Sequence, residues 1–190
     1  MKYFISDNHW GHKAIIRMEN RPFNSVQEMN ISMIESWNSI VKPDDEVYHL
    51  GDISHKINPS QLINILNQLN GKIYLISGNH DKPNILNRIK DRFEWIEKYH
   101  EFNYNHNDDN YKFVLFHNPI YSWNGLWRGS IHLCGHTHRK SSQFFNNHVG
   151  RIMNVSCEML DYKPISIVDI IEQMKNKIVI PPQRSEDDNY

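Results

Sequence analysis

Apolar positions along this chain alternate between short unbroken runs and longer stretches spaced three and four apart, a pattern of strands separated by helices. Lys2-Tyr3-Phe4-Ile5-Ser6 reads as a strand, and a helix is expected near His12–Met18 before Pro22 breaks it. Met29, Met33/Ile34, Trp37 and Ile40 recur at helical spacing, which predicts a helix over Val26–Ile40 with Ser25 as its N-cap and that stripe in the core. Pro43-Asp44-Asp45 turns the chain into Glu46–Leu50, a short buried strand. Pro59 opens a helix to Leu69, Asn70-Gly71 turns again, and Lys72–Ser77 is the next strand. Strand, crossover helix and strand imply parallel pairing.

After a helix near Asn84–Phe93 the pattern changes. Tyr99–Tyr104 and Tyr111–Phe116 flank a polar stretch over residues 105–110 and read as an antiparallel hairpin. Ile131–Cys134 and Arg151–Val155 are further strands, and Ser166-Ile167-Val168-Asp169 resembles a capping box ahead of a helix to Lys175. Residues 1–180 are expected to form one α/β domain. Residues 181–190 are polar and acidic and are expected to be disordered.

With 190 residues the chain is long enough for one domain with a substantial core. Its net charge of −1 comes from acidic and basic residues mixed along the sequence, with no basic stripe to neutralise a nucleic-acid backbone, so long polynucleotides are not favoured partners. No apolar stretch approaches the roughly 18 residues that a membrane span needs. Met1 leads directly into the first strand, and Cys134 and Cys157 lack the spacing of a zinc knuckle or disulfide framework. A soluble cytoplasmic protein of undefined oligomeric state is the expectation.

Histidine is the informative excess, with 12 in the chain. Asp7/His9, Asp52, Asn79, His117 and His136/His138 each stand where a predicted strand gives way to a loop, the usual place for chemistry in an α/β scaffold. In an extended segment residues i and i+2 share a face, so Asp7/His9 and His136/His138 could each aim two ligands into one cavity. Carboxylate oxygen with neutral imidazole suits two divalent ions, manganese foremost, with iron, zinc, nickel or cobalt as alternatives. Asp52 is the expected bridge. Two anionic ligands out of seven leave an excess of roughly +2 to attract a phosphate, which a carboxylate in place of Asn79 would reduce. Glycines before Asp52, Asn79 and His136 would allow close backbone approach. His80 is placed to meet substrate, with Asp81 to hold its ring, and a cation-activated water would be the nucleophile.

Taken in order, Asp7-x-His9, Gly51-Asp52, Gly78-Asn79-His80-Asp81, His117 and Gly135-His136-x-His138 resemble the motif series of the calcineurin-like metallophosphoesterase superfamily. The resemblance implies a four-layer α/β/β/α sandwich with mixed sheets. It implies one metal on Asp7, His9, Asp52 and His138, another on Asp52, Asn79, His117 and His136, with His80 catalytic and Asp81 its acidic partner. The activity implied is hydrolysis of a small phosphodiester, nucleotide-type ones included, by attack of a metal-bridging hydroxide. The alternatives are a phosphomonoesterase or protein phosphatase, and a binding module that has lost catalysis. Ser6-Asp7-x-His9-x-Gly11-His12, Arg21-Pro22-Phe23, His49-Leu50-Gly51-Asp52 and the region of Trp123 look like a small bacterial and phage branch.

Several residues keep two readings. His49 and His132, inside strands, are expected to be packed scaffold residues. His12 could touch substrate, support the site from behind or simply be exposed. Arg17 and Arg21 could form a phosphate-binding fork or be ordinary surface arginines. Tyr121, Trp123 and Trp127 could stack on a nucleobase or pack in the core, and Cys134 is expected to fill space.

Overall fold

The computed structural model describes residues 1–179. The chain runs β1 (Lys2–Ile5), α1 (Lys13–Met18), α2 (Val26–Asn38), β2 (Glu46–His49), α3 (Pro59–Leu66), β3 (Lys72–Ile76), α4 (Pro83–Ile89), β4 (Ile96–Glu97), β5 (Tyr99–His106), β6 (Asp109–Phe116), β7 (Ile131–Cys134), α5 (Ser142–Asn147), β8 (Arg151–Asn154), β9 (Ile165–Ser166) and α6 (Ile167–Lys175). One sheet has the order β4-β3-β2-β1-β9, the other β5-β6-β7-β8. Both are mixed. β1 to β4 pair in parallel and β9 joins antiparallel, while β5–β6 is antiparallel and β6–β7–β8 is parallel.

Strand alternation sorts the apolar side chains into layers. On β1, Ile5 joins Met29, Met33, Trp37, Leu62 and Leu66 under α2 and α3, whereas Phe4 faces the other sheet with Phe113, Leu115 and Leu133. Phe4 stacks among Tyr48, Phe102 and Phe113 at centroid distances of 5.3 to 6.3 Å, fixing the spacing between the sheets. On β6, Val114 points outward to Trp123, Leu126 and Ile152, with Phe144 and Phe145 of α5 packed beside them. The four-layer sandwich is therefore present, with a thin fourth layer made by α5 and a 3-10 turn at Leu126–Arg128.

Ser25 caps α2 by accepting from the Glu28 amide, and Ser166 caps α6 by accepting from the Asp169 amide, as the sequence predicts. The hairpin departs from expectation. Its strands extend to His106 and Asp109, and Asn107 and Asp108 close it with φ of 49° and 67°, the two-residue turn that a right-handed strand twist favours. α3 stops at Leu66 and a tighter turn carries the chain on to Leu69. The two-residue strands β4 and β9 and the helix α5 are additions to the predicted elements. The disorder expected over 181–190 lies outside the described residues. Among the described residues no helix is long and apolar enough to cross a membrane.

Candidate metal centre

Side chains just beyond the C-terminal ends of β1, β2 and β3 in one sheet and of β6 and β7 in the other converge on one cluster. Beyond the strands, β1 and β2 stay laced together. Asp7 N donates to Gly51 O at 2.9 Å, His9 N to Asp52 O at 3.1 Å and Trp10 N to Ile53 O at 2.9 Å. Asp7, His9, Asp52, His136 and His138 all have left-handed backbone, with φ of 57°, 50°, 54°, 70° and 49°. This corrects the expectation that i and i+2 ligands share a face because they are extended. The pairs are aimed by single left-handed residues, each costing roughly 1–2 kcal/mol in a non-glycine chain, a strain that clusters at functional sites. Between them, Asn8 turns inward and its Oδ1 meets His49 Nε2 at 2.8 Å. Close approach also needs the missing side chain at Gly135, where a Cβ would collide with the Asp7 carboxylate and the Ser6 hydroxyl.

Two ligand groups result. Asp7, His9 and His138 bring one donor atom each within 4.8 Å of one another, and so do Asp7, Asp52 and His117. Asn79 Oδ1 lies 3.0 Å from His117 Nε2 and 2.9 Å from His136 Nδ1, so the amide joins the second group. The Asp52 carboxylate spans the two, with Oδ2 3.6 Å from His9 Nε2 and Oδ1 3.6 Å from His117 Nε2. Asp7 is more committed. Its Oδ2 accepts from Ser6 Oγ at 2.6 Å and Ser156 Oγ at 3.0 Å, and the His136 amide donates to both its oxygens, while Oδ1 faces His138 Nε2 at 3.7 Å.

The donor set fits cations on its own chemistry. His117 Nδ1 lies 2.7 Å from Leu50 O, which assigns the ring proton to Nδ1 and leaves the Nε2 lone pair facing Asn79 Oδ1, another acceptor. His138 Nδ1 donates to Glu158 Oε1 at 3.0 Å, which aims its Nε2 at the Asp7 carboxylate 3.7 Å away. Both ring nitrogens of His9 are buried without a hydrogen-bond partner. Burial raises the Asp7 carboxyl pKa, against the opposing pull of His117 and His138. Burial, then the charges of His138 and Arg21, lowers that of His9 far below the usual imidazole range. An imidazole lone pair facing an amide oxygen, and the orphaned nitrogens of His9, are donors that divalent ions would satisfy.

The Asp7 side of the site is braced by Ser156 and Glu158, which are not among the candidates read from sequence, and by Arg21 in a role that the sequence does not foretell. Arg21 is buried. Its guanidinium bonds Glu158 at 2.6 and 2.8 Å and donates to the main-chain oxygens of Asp7 at 2.7 Å and Asn8 at 2.8 Å. It is neither a surface arginine nor half of a phosphate fork, which corrects both readings, while Arg17 is exposed on α1. Glu158 resists burial because His138 and Arg21 hold its carboxyl down to about 2. The signal for Ser156 and Glu158 was available, since they follow the strand end at Asn154 just as the other candidates follow theirs.

His80 donates its amide to Asp52 Oδ1 at 2.8 Å, and its ring Nε2 stands 3.9 Å from Asp52 Oδ2 with the side chain 37% exposed. Asp81 does not reach that ring. Its carboxylate accepts the amides of Asp52, Ile53 and Gly78 at 2.8 to 3.0 Å and so ties the β2 and β3 loops together. His12 and His55 extend a wall of rings from His80, with centroids 4.4 Å apart for His12–His55 and 4.5 Å for His55–His80. His49 is packed scaffold: Gly51 N donates to its Nδ1, and burial, then the neighbouring His117, lowers its pKa to about 3. His132 and Cys134 are buried in β7, and Trp123 belongs to the core while Tyr121 and Trp127 are exposed.

Residues 2–152 match the model of the calcineurin-like phosphoesterase superfamily domain. An uncharacterized protein of Methanocaldococcus jannaschii is 40% identical over 182 residues, covering 93% of each chain. The gene 66 protein of Mycobacterium phage L5 is 36% identical over 88 residues, 45% of this chain and 42% of that protein. The crystal structure of an Aquifex aeolicus protein of unknown function superposes with a TM-score of 0.70 at 26% identity, covering 91% of this chain and 98% of that one.

Proposed function

From the premise that this chain belongs to the calcineurin-like phosphoesterase superfamily, a family of phosphoester hydrolases, we propose that its clustered residues hold two divalent cations and that it hydrolyses a small phosphodiester. The observation that carries the dinuclear reading is the Asp52 carboxylate, whose two oxygens face His9 and His117 on opposite sides. Asp52 is the bridge because Asp7 Oδ2 is already saturated by serine hydroxyls and an amide. Asp7, His9 and His138 complete one site; Asn79, His117 and His136 complete the other. Manganese suits these oxygen and imidazole donors, as do iron, zinc, nickel and cobalt.

Bound cations supply Lewis acidity toward phosphoryl oxygens and lower the pKa of water toward neutrality. The chain's own residues do the rest. His80, anchored through its amide to Asp52 and open on one side, donates a proton to the leaving oxygen or steadies the phosphoryl group. Asp81 acts as a positioning residue, holding the Asp52 and Asn79 loops in register through three amides. Asn79, being neutral, keeps the pocket electropositive toward substrate. The preference for a diester rests on open space beside Asn79, which gives a second ester group somewhere to lie. Side chains from both sheets meet in one cluster, which supports reading the described residues as one domain. The two cysteines are buried and unpaired, in keeping with a reducing cytoplasm.

Steady-state hydrolysis of bis- and mono-p-nitrophenyl phosphate by manganese-loaded protein, with and without chelator, tests the reading. Chelator-sensitive turnover with a higher kcat/KM for the diester is expected. A large excess of monoesterase activity would overturn the diester preference, and metal-independent or absent hydrolysis of both would overturn the assignment.

A further inference from the structure

A cleft of about 930 Å³ begins at Gly78, Asn79 and Asp81 and runs away from the ligand groups between α4 and the strand ends at Trp95–Ile96 and Phe116. Its size falls within the roughly 300–1,000 Å³ of small-molecule sites. Leu86, Phe93, Trp95 and Phe116 give it an apolar and aromatic lining, with Trp95 half-buried against Tyr74 and His100. Lys82, Lys90 and Lys98 stand along it, and among the described residues none of them forms an ion pair. Lys82 reaches back to donate to Asn79 O at 3.0 Å, so the basic lining starts at a candidate ligand. Asp91 and Glu94 also line the cleft, which makes the electrostatics mixed rather than uniformly basic. The aromatic loop singled out in the sequence does not take part, because neither Tyr121 nor Trp127 lines this space.

We infer that this cleft is the subsite for the esterified group of the substrate, and that the group it takes is a nucleoside carrying further negative charge. The inference rests on the phosphodiesterase reading above and names its substrate class. A phosphoryl group held beside Asn79 would direct one ester substituent into the cleft. An aromatic base gains from stacking or edge contact on Trp95 and Phe116. Lys90 and Lys98 would meet a second phosphate or carboxylate farther along, at a distance where uncharged esters make no such contact. A plain alkyl or p-nitrophenyl diester would fill little of the space.

The test uses the full chain with manganese and compares the p-nitrophenyl diester of thymidine 5′-phosphate, the same diester carrying an additional 3′-phosphate, and bis-p-nitrophenyl phosphate. The expected kcat/KM rises in the order bis-p-nitrophenyl, nucleotide, phosphorylated nucleotide, with the gain in KM. Lys90→Glu combined with Lys98→Glu, both exposed, should cut kcat/KM for the phosphorylated nucleotide about tenfold more than for bis-p-nitrophenyl phosphate. Binding of adenosine 3′,5′-bisphosphate, read from quenching of tryptophan fluorescence, should weaken in parallel and lose its quench in Trp95→Phe. Equal effects on all substrates, or binding untouched by charge reversal, would overturn the subsite. Hydrolysis of bis-p-nitrophenyl phosphate without any nucleotide preference would overturn the subsite and leave the phosphodiesterase reading standing, whereas nucleotide binding without any hydrolysis would do the reverse.

Discussion

Asp7, His9 and His138 are 0%, 2% and 9% exposed and are braced by Ser6, Ser156, Glu158 and Arg21, whereas Asn79 and His136 across the Asp52 carboxylate are open to solvent. On the buried side the ring of His138 is fixed by a carboxylate that is itself fixed by an arginine. On the open side His117 is fixed by a main-chain oxygen, and His136 is held by contact with Asn79 and its own loop. The difference separates two tasks within one centre. Asp7 and His138 are held in place by neighbouring side chains ahead of any cation, whereas exposed Asn79 and His136 would leave room for a substrate and for the cleft beyond.

His80 tests whether the open side does the chemistry. His80→Ala should keep both cations and lose turnover by roughly 10²–10⁴-fold, the usual worth of a positioned acid; metal content together with kcat is the measurement, and loss of metal would mean the ring is a ligand. Arg21 tests the bracing. Arg21→Ala leaves buried Glu158 with only the His138 imidazole as partner and should cost about 3–5 kcal/mol, seen as a lower denaturant midpoint of the metal-free protein, and an unchanged midpoint would deny the bracing role.

Glu158→Gln keeps the shape and removes the charge. It should weaken one of two manganese ions by about 10- to 100-fold and leave the other near its wild-type affinity, which competitive titration resolves. The same substitution carries a pH signature in metal-free protein. The Glu158 pKa is lowered to about 2 in the fold from an ordinary 4.5, so its contribution is present above pH 4.5 and is lost as pH falls toward 2. Wild type should therefore lose stability across that window more steeply than Glu158→Gln, and parallel urea midpoints at pH 2–5 would contradict it. Asn79→Asp is the mildest change. It should tighten the open-side cation and slow diester turnover about tenfold, because a third carboxylate cancels charge that attracts substrate.

The helices with clean apolar stripes and a polar cap were legible residue by residue, and Ser25 and Ser166 cap as their sequences imply. Parallel pairing of β1, β2 and β3 followed from chain order alone. β4 and β9 are too short to carry a period, and Ser142–Asn147 of α5 places Phe144 and Phe145 side by side without helical spacing. Strand-end chemistry pointed to Asp7, His9, Asp52, Asn79, His117, His136 and His138, which the fold gathers together, but the left-handed backbone of Asp7, His9, Asp52, His136 and His138 has no local signature outside the glycines. The pairing of Arg21 with Glu158 stayed hidden because a buried ion pair and two surface charges look alike in sequence; only the fold brings residues 137 positions apart together. Trp123 was undecidable for a related reason, since the same loop carries one buried and two exposed aromatic rings.

The proposed mechanism depends on two cations sharing the Asp52 carboxylate, and the metal content of Asp52→Asn beside wild type tests that sharing. After equilibration with manganese and gel filtration, wild type should retain two ions per chain and the variant should lose both together. A variant that keeps one ion at full occupancy would show that Asp52 serves a single site and that the two halves are not joined through it.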